Sequence, residues 1–408
     1  MSMLKLSWKY LLAKPWNTTL NILLLALGLS IITVLILIQD QFENKMNRDA
    51  AGIDLVIGAK GSPLQLVLSS VYHIDFPTGN IPLDEARGIS RNRLIKNTIP
   101  LGLGDNYQGF RIVGTNHDYL DLYEVTFAAG EAWNKAFDVV LGSRVAQKSG
   151  FEVGDVFVGS HGIEAASHEH DEHPYRVVGI LAPSDKIVDQ LILTSIESVW
   201  YAHDEEHDHG KMEEEVAKTG FPEVVADEER ELTTLLVQYR NPIAAVQLPR
   251  LVNSRSALQA ASPSFEISRL FELLGVGISL VQGLALIIVL IAGLGIFIAL
   301  YNSLKERKYD LAVMRAIGAS REQLFVLIIL EGVLLTFLGA VTGLLIGHFF
   351  LYILVMTNEQ GALSGLSAGV FLTQEWWILA YALGVGILAS LIPAWNAYRT
   401  DIANQLTK

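Results

Sequence analysis

Long runs without charge alternate along the chain with one extended polar stretch. From Leu20 to Ile38 there are 19 residues with no charged side chain, a helix of ~28 Å that suffices to cross a bilayer core. The run Leu273 to Leu304 is 32 residues long, more than one crossing needs, so its helix is expected to tilt or to project beyond the bilayer. A third run, 324–355, is interrupted by Glu331 and His348, and a fourth covers 376–398. The pattern predicts four membrane helices over 20–38, 273–304, 324–355 and 376–398. The first is longer than the apolar stretch of a signal peptide, and no small-residue cleavage site follows it before Asp40, so it reads as an uncleaved anchor.

The hydrophilic segment 39–272 opens with a helical continuation of the first span, where Phe42 and Met46 are spaced i, i+4. Short β-branched or aromatic runs bounded by turn residues follow, at 54–58, 109–114, 138–142, 155–159, 176–181 and 235–239. Helices are predicted at Leu64–Ser70, Leu83–Ser90, Ser143–Ser149 and Ala244–Ala260. The fold class expected is an α-helical membrane protein with four transmembrane helices and a mixed α+β extracytoplasmic domain. That domain divides into two parts, a second inserted in the first at about 115–230.

Basic residues set the orientation. Lys5, Lys9 and Lys14 precede the first span, and Lys305, Arg307, Lys308, Arg315 and Arg321 lie between the second and third, whereas 356–375 has no Lys or Arg. The N-terminal segment 1–19, the segment 305–323 and the tail 399–408 are therefore expected in the cytoplasm, with 39–272 and the loop 356–375 outside. The outer segment holds 20 basic and 36 acidic residues, net −16, against −13 for the chain, which argues against nucleic acid as a partner. With no cysteine, disulfides and thiolate chemistry are excluded.

Two stretches carry a resemblance. The sequence KERKYDLAVMRAIGAS from Lys305 to Ser320 resembles the signature after the second span of MacB-like and FtsX-like ABC permeases, and IPAWNAYR from Ile392 to Arg399 is similar to that family's C-terminal motif. The order of one span, a large insertion and three spans also matches, so the resemblance covers the chain. It implies a porter-like part with an inserted β-rich subdomain outside an inner membrane, an FtsX-like permease of the mechanotransmission type, a second permease copy and a pair of cytoplasmic ABC ATPase chains. No Gly-x-x-x-x-Gly-Lys-Ser/Thr loop occurs in the sequence, so ATP is expected on a partner chain and none on this one. The first span starts so near Met1 that a fused N-terminal ATPase is not expected, and no catalytic triad or dyad is defensible.

Within 305–317, Leu311, Met314 and Ile317 recur at i, i+3 and i+6 on one helical face, with Gly318 suited to end the helix. The resemblance makes this segment, Arg307 included, the ATPase-docking element, with Glu306 and Arg315 available for charge pairing; the alternative is a juxtamembrane turn that only anchors topology through its positive charge. Gly339, Gly343 and Gly347 share a face of the third span where helices pack closely, within one protomer or at a dimer seam. Glu331 and His348 are expected to be structurally paired rather than to form a proton path. The segment Gly58 to Pro77 reads either as a partner-facing surface or, preferentially, as core. Two acidic histidine tracts, 167–173 and 203–209, offer His168, His170, His173, His203, His207 and His209 as ligands, and imidazole with carboxylate suits zinc, copper or nickel; the alternative is a pair of solvated acidic loops that bind metal only weakly. They flank an apolar stretch, Tyr175 to Trp200, expected to bring them to one end of the inserted part.

The function expected is a permease subunit that turns ATP hydrolysis on another chain into movement of the outer domain, for export or extraction of a periplasmic substrate linked to zinc. A periplasmic adaptor or metal-binding protein would be a further partner. The alternatives are an FtsX-like regulator of an external hydrolase and a metal sensor.

Overall fold

A computed structural model describes residues 3–159, 174–202, 216–222, 230–255, 257–357 and 366–399. The chain opens with helices α1 (Met3–Ala13) and α2 (Pro15–Asp49). There follow β1 (Leu55–Ala59), α3 (Pro63–Ser70), β2 (Ile81–Pro82), α4 (Leu83–Ser90), β3 (Ile95–Tyr107), β4 (Phe110–Thr115), α5 (His117–Leu122), β5 (Phe127–Gly130), β6 (Asp138–Leu141), α6 (Ser143–Ser149) and β7 (Val156–Phe157). Then come β8 (Tyr175–Leu181), β9 (Ile192–Ser195), α7 (Ile196–Ala202), β10 (Glu231–Leu232), β11 (Thr234–Tyr239), α8 (Ala244–Arg255) and β12 (Leu258–Ala261). Helices α9 (Pro263–Glu306), α10 (Lys308–Ala316), α11 (Arg321–Thr357) and α12 (Gln374–Tyr398) complete the chain. It divides into a helical unit, 1–42 with 273–408, and an α+β unit, 43–272, the division falling inside α2 and α9.

Helices α2, α9, α11 and α12 are each long and apolar enough to cross a membrane. Their shared core is made by Leu25 and Leu29 of α2, Val289, Ala292 and Ile296 of α9, Leu335 and Ala340 of α11, and Ile378 and Ala382 of α12. Where apolar burial gives no advantage over lipid, close packing decides which faces meet. A Cβ on Gly343 would lie 3.0 Å from the Ala26 carbonyl and from Leu29 Cβ; on Gly347 it would lie 2.9 Å from Thr33 Cβ, and on Gly339 2.7 Å from a Leu25 methyl. The three-glycine face is thus occupied by α2 of the same chain. The helix α11 starts with a reciprocal cap: the Gln323 N–H donates to Ser320 Oγ at 3.2 Å and the Ser320 N–H to Gln323 Oε1 at 2.9 Å.

The α+β unit is organised by one continuous sheet, ordered β12-β1-β11-β3-β4-β9-β6-β8-β5, with β7 paired to β8. Strand β3 joins its two halves: Ile95 to Leu101 pair antiparallel with β11, and Gly102 onward pair antiparallel with β4. Beyond β4 the sheet is mixed, β4 being parallel to β9 and β6 parallel to β8. In the first half Leu55, Ile57, Leu235, Val237, Leu258 and Ala260 form a core with Leu248 and Val252 of α8. In the second half α7 lies tightly on the sheet, since a Cβ on Gly114 would fall 2.6 Å from a Val199 methyl and 3.0 Å from the Ser195 carbonyl.

The helix expected over Ala244–Ala260 stops at Arg255, and Leu258–Ala261 instead forms the edge strand β12 against β1. Leu258-Gln-Ala-Ala has good helix propensity, but pairing with β1 outweighs a preference of a few tenths of a kcal/mol per residue. In the segment Gly58 to Pro77, Leu66, Val67, Val71 and Tyr72 are buried while Ile74 and Phe76 are exposed, so core and surface are both present there.

Candidate functional site

The turn from α9 into α10 is built around Arg307, one residue between two helices. Its guanidinium is 3.5 Å from Glu331 Oε1 of α11 and donates to the Tyr10 carbonyl at 3.3 Å. The same guanidinium lies over the Tyr10 ring, 4.0 Å from its centroid. Side-chain exposures of 15% for Arg307 and 4% for Glu331 put the pair inside the helical unit. A buried pair of this kind adds little net stability, but loss of one partner strands a charge. Its effect is to fix α1, α11 and the start of α10 relative to one another. Beside it, Lys14 in the bend between α1 and α2 pairs with Glu306 at the end of α9.

Leu311 of α10 is buried in a core with Leu304, Leu324, Ile328, Ala394 and Ala397, and Met314 packs against it; Ala312 is buried as well. The apolar face read from the sequence therefore divides. Leu311 and Met314 face inward, and the outward surface is made by Tyr309, 63% exposed, and Ile317, 81% exposed. Arg315 is half-buried. Gly318 ends the helix with φ +112°, a conformation that side-chain-bearing residues rarely adopt. Of the seven sequence-expected docking residues, Glu306, Arg307, Leu311 and Met314 thus engage their own chain, and Ile317 stands outermost.

At the other end of the third long helix, His348 Nδ1 donates to the Ala368 carbonyl at 2.6 Å and Nε2 meets Glu375 Oε2 of α12 at 3.0 Å. Glu375 also accepts from the Leu372 N–H at 2.8 Å. Both ionisable residues of the third span are therefore paired, 331 with Arg307 and 348 with Glu375. Gln41 of α2 exchanges two hydrogen bonds with the backbone of Ser367.

Sequence reasoning missed the anchorage of the end of α2 within the α+β unit. Asp49 Oδ1 accepts from the Ile187 N–H at 3.0 Å, Tyr123 Oη donates to the Asp49 carbonyl at 2.9 Å, and Tyr72 Oη donates to the Met46 carbonyl at 3.0 Å. Carbonyls of a last helical turn tend to lack partners within the helix; Tyr123 supplies one to Asp49, and Tyr72 adds a second donor to the Met46 carbonyl, which also accepts from the Ala50 N–H at 3.1 Å. A buried Asp near a helix end, with two tyrosines in the following apolar runs, was the signal available, and only the fold brings them together. Close by, burial and the Arg111 guanidinium push the His73 imidazole down to about 3. His73 Nε2 lies 3.3 Å from Tyr119 Oη.

The metal candidates His168, His170, His173, His203, His207 and His209 lie outside the described residues. Described residues that follow them in the chain make two backbone hydrogen bonds to the segment before β6. The Arg176 N–H donates to the Phe137 carbonyl at 2.8 Å, and the Val216 N–H to the Asn134 carbonyl at 3.1 Å. Arg176 and Val216, the described residues bonded here, thus both meet the segment 134–137 before β6. Among the described residues no three His, Asp or Glu side chains gather as a metal site.

The MacB-like periplasmic core domain model matches residues 18–248, more than half of the chain, and the FtsX-like permease C-terminal model matches 283–402. The chain belongs to the MacB/FtsX family of ABC transporter permeases. It is 26% identical over 297 residues to an uncharacterized ABC transporter permease protein of Mycobacterium tuberculosis, covering 66% of this chain and 29% of that one. It is 31% identical over 124 residues to the macrolide export ATP-binding/permease protein MacB of Hyphomonas neptunium, covering 30% and 18%. With the pyoverdine export ATP-binding/permease protein PvdT of Pseudomonas putida the match is 21% over 423 residues, 99% of this chain and 59% of the relative. The matched part thus spans less than two thirds of the length of each of these relatives. The crystallised periplasmic region of MacB from Actinobacillus actinomycetemcomitans aligns over 56% of this chain and 98% of its own, with 13% identity and a TM-score of 0.33.

Proposed function

We propose that this permease converts ATP hydrolysis on a separate ATPase chain into movement of its α+β unit, and that the movement exports or extracts a substrate outside an inner membrane. The observation that carries the reading is the clamp at Arg307. A push on the outer face of α10 reaches α1 and α11 through one buried guanidinium and reaches α9 through the backbone. Helices α2 and α9 are each unbroken from the helical unit into the α+β unit. The last turn of α2 is held there by three hydrogen bonds, so displacement of the helix is delivered to the domain rather than lost at a loose joint. Export by the relatives named for macrolides and pyoverdine supports the same direction of work.

The basic residues at 1–19 and 305–323 support cytoplasmic termini and an outer position for 43–272. A second copy of the chain would complete the permease, paired with an ATPase dimer. A zinc-linked pathway, with a periplasmic adaptor or metal-binding protein, is supported by the composition of the two His tracts.

Affinity purification of the tagged chain from its native membrane tests the coupling. Wild type is expected to bring down a P-loop ATPase. Ile317→Asp, which changes the outermost apolar side chain and leaves the Arg307 clamp alone, is expected to lose it. Retention of the ATPase by that variant, or its absence from wild type under mild detergent, contradicts the assignment.

A further inference from the structure

The helix α1 has two faces with different tasks. Leu11 and Ser7 are buried, Ser7 Oγ donating to the Leu327 carbonyl of α11 at 3.4 Å. On the other side Leu4, Trp8 and Leu12 recur at i, i+4 and i+8, with exposures of 56%, 41% and 59%, and Trp16 continues the row past the bend at 86%. A row of Leu and Trp left outside the protein immediately before a membrane span has the composition of a helix lying at headgroup level. Lys5 and Lys9 lie one turn apart beside the row, and Lys14 follows.

Between α1 and α11 there is a cleft of about 630 Å³ lined by Leu4, Lys5, Trp8, Lys9 and Leu334. The lining combines two ammonium-bearing side chains from the surface helix with an apolar residue 13 positions into α11, ~20 Å along that helix. A ligand that fits this gradient has an anionic head and a hydrocarbon tail. Long lysine stems lie along apolar surface while the ammonium stays at the polar level, the geometry a phosphodiester needs.

We propose that the cleft between α1 and α11 is a binding site for an anionic phospholipid, its phosphate held by Lys5 and Lys9 and an acyl chain lying along Leu4, Trp8 and Leu334. The bound lipid would press α1 onto α11 at the Ser7 contact, next to the Tyr10 carbonyl that Arg307 holds. The inference needs only that α1 lies at a membrane surface.

Full-length protein in detergent is titrated with phosphatidylglycerol and with phosphatidylcholine of matched chains, and bound lipid is counted by native mass spectrometry. Each lysine near the surface contributes about fivefold, so wild type should hold phosphatidylglycerol about 25-fold more tightly than phosphatidylcholine. Lys5→Gln with Lys9→Gln should abolish the preference, and Lys5→Arg with Lys9→Arg should keep it, which separates loss of charge from loss of fold. Millimolar inorganic phosphate should leave the lipid bound. Absence of a preference in wild type, its survival in the glutamine variant, its loss in the arginine variant, or displacement of lipid by phosphate alone would each overturn the proposal. No ATPase or nucleotide is present, so the outcome is independent of the coupling reading.

Discussion

Arg307 and Glu331 meet at 3.5 Å across 24 positions of chain, inside the helical unit and beside the Tyr10 carbonyl. A buried pair broken on one side costs about 3 kcal/mol or more, while replacement of both partners by apolar side chains is often neutral. Arg307→Ala is therefore expected to lower the thermal midpoint of the detergent-solubilised protein clearly, and Arg307→Met with Glu331→Leu to restore most of it. In transport or ATPase-stimulation assays both variants should be defective while still binding the ATPase, because neither alters Tyr309 or Ile317. A double variant with normal coupling would show that the clamp serves stability alone.

The glycine face of α11 makes a position-specific prediction. Gly343→Leu forces a side chain into the Ala26 carbonyl and Leu29, and overpacking of this sort costs about 1–3 kcal/mol. Gly384→Leu adds the same volume where nothing lies within 4 Å. Thermal unfolding in detergent should separate the two, with Gly384→Leu close to wild type. Equal loss in both would remove α2 as the reason for glycine at 343.

His73 predicts the acid sensitivity of the α+β unit. Its imidazole is pushed down to about 3 in the fold and titrates near 6.5 when unfolded. Between these values the unfolded chain binds the extra proton, so this contribution is complete above pH 6.5 and is lost progressively as the pH falls towards 3. From pH 7 to pH 5 it amounts to about 2 kcal/mol. Thermal unfolding of wild type and His73→Gln over that range should show the smaller acid loss in the variant. Parallel curves would contradict the buried neutral state.

Much of this architecture is legible from the sequence, and the exceptions have physical causes. The apolar runs announce the long helices because a bilayer crossing needs a composition that little else mimics. Strand β3 was not foreseen, since Ile95–Tyr107 contains Pro100, Gly102 and Gly104 and so lacks a strand's usual composition; its order comes from β11 and β4 on either side. The face Leu311, Met314, Ile317 was legible as amphipathic, but periodicity cannot say whether an apolar stripe meets a partner or its own bundle. Arg307 is read from the sequence as part of the ATPase-coupling segment, and only the approach of α11 and α1 turns it inward. The locks at Asp49, Tyr72 and Tyr123 depend on contacts 26 to 138 residues apart, which no local pattern encodes.

Those locks predict a separation of binding from work. Tyr72→Phe and Tyr123→Phe each remove one hydrogen bond to the last turn of α2, about 1 kcal/mol each. The double variant is expected to fold and to retain the ATPase, yet to pass less of the stroke to the α+β unit. Hydrogen exchange at residues 45–50 should rise in the variant. Unchanged protection there would exclude the tyrosines as anchors.

The absence of cysteine makes the central claim directly measurable. Cysteines introduced at the exposed positions Phe76 and Phe371 accept spin labels, and their separation is read by pulsed electron resonance in the reconstituted complex with ADP and with ATP. The account predicts a distance distribution that moves by several ångström with ATP, and one that stays still in Arg307→Ala. An unchanged distribution in wild type while the ATPase hydrolyses ATP would contradict it.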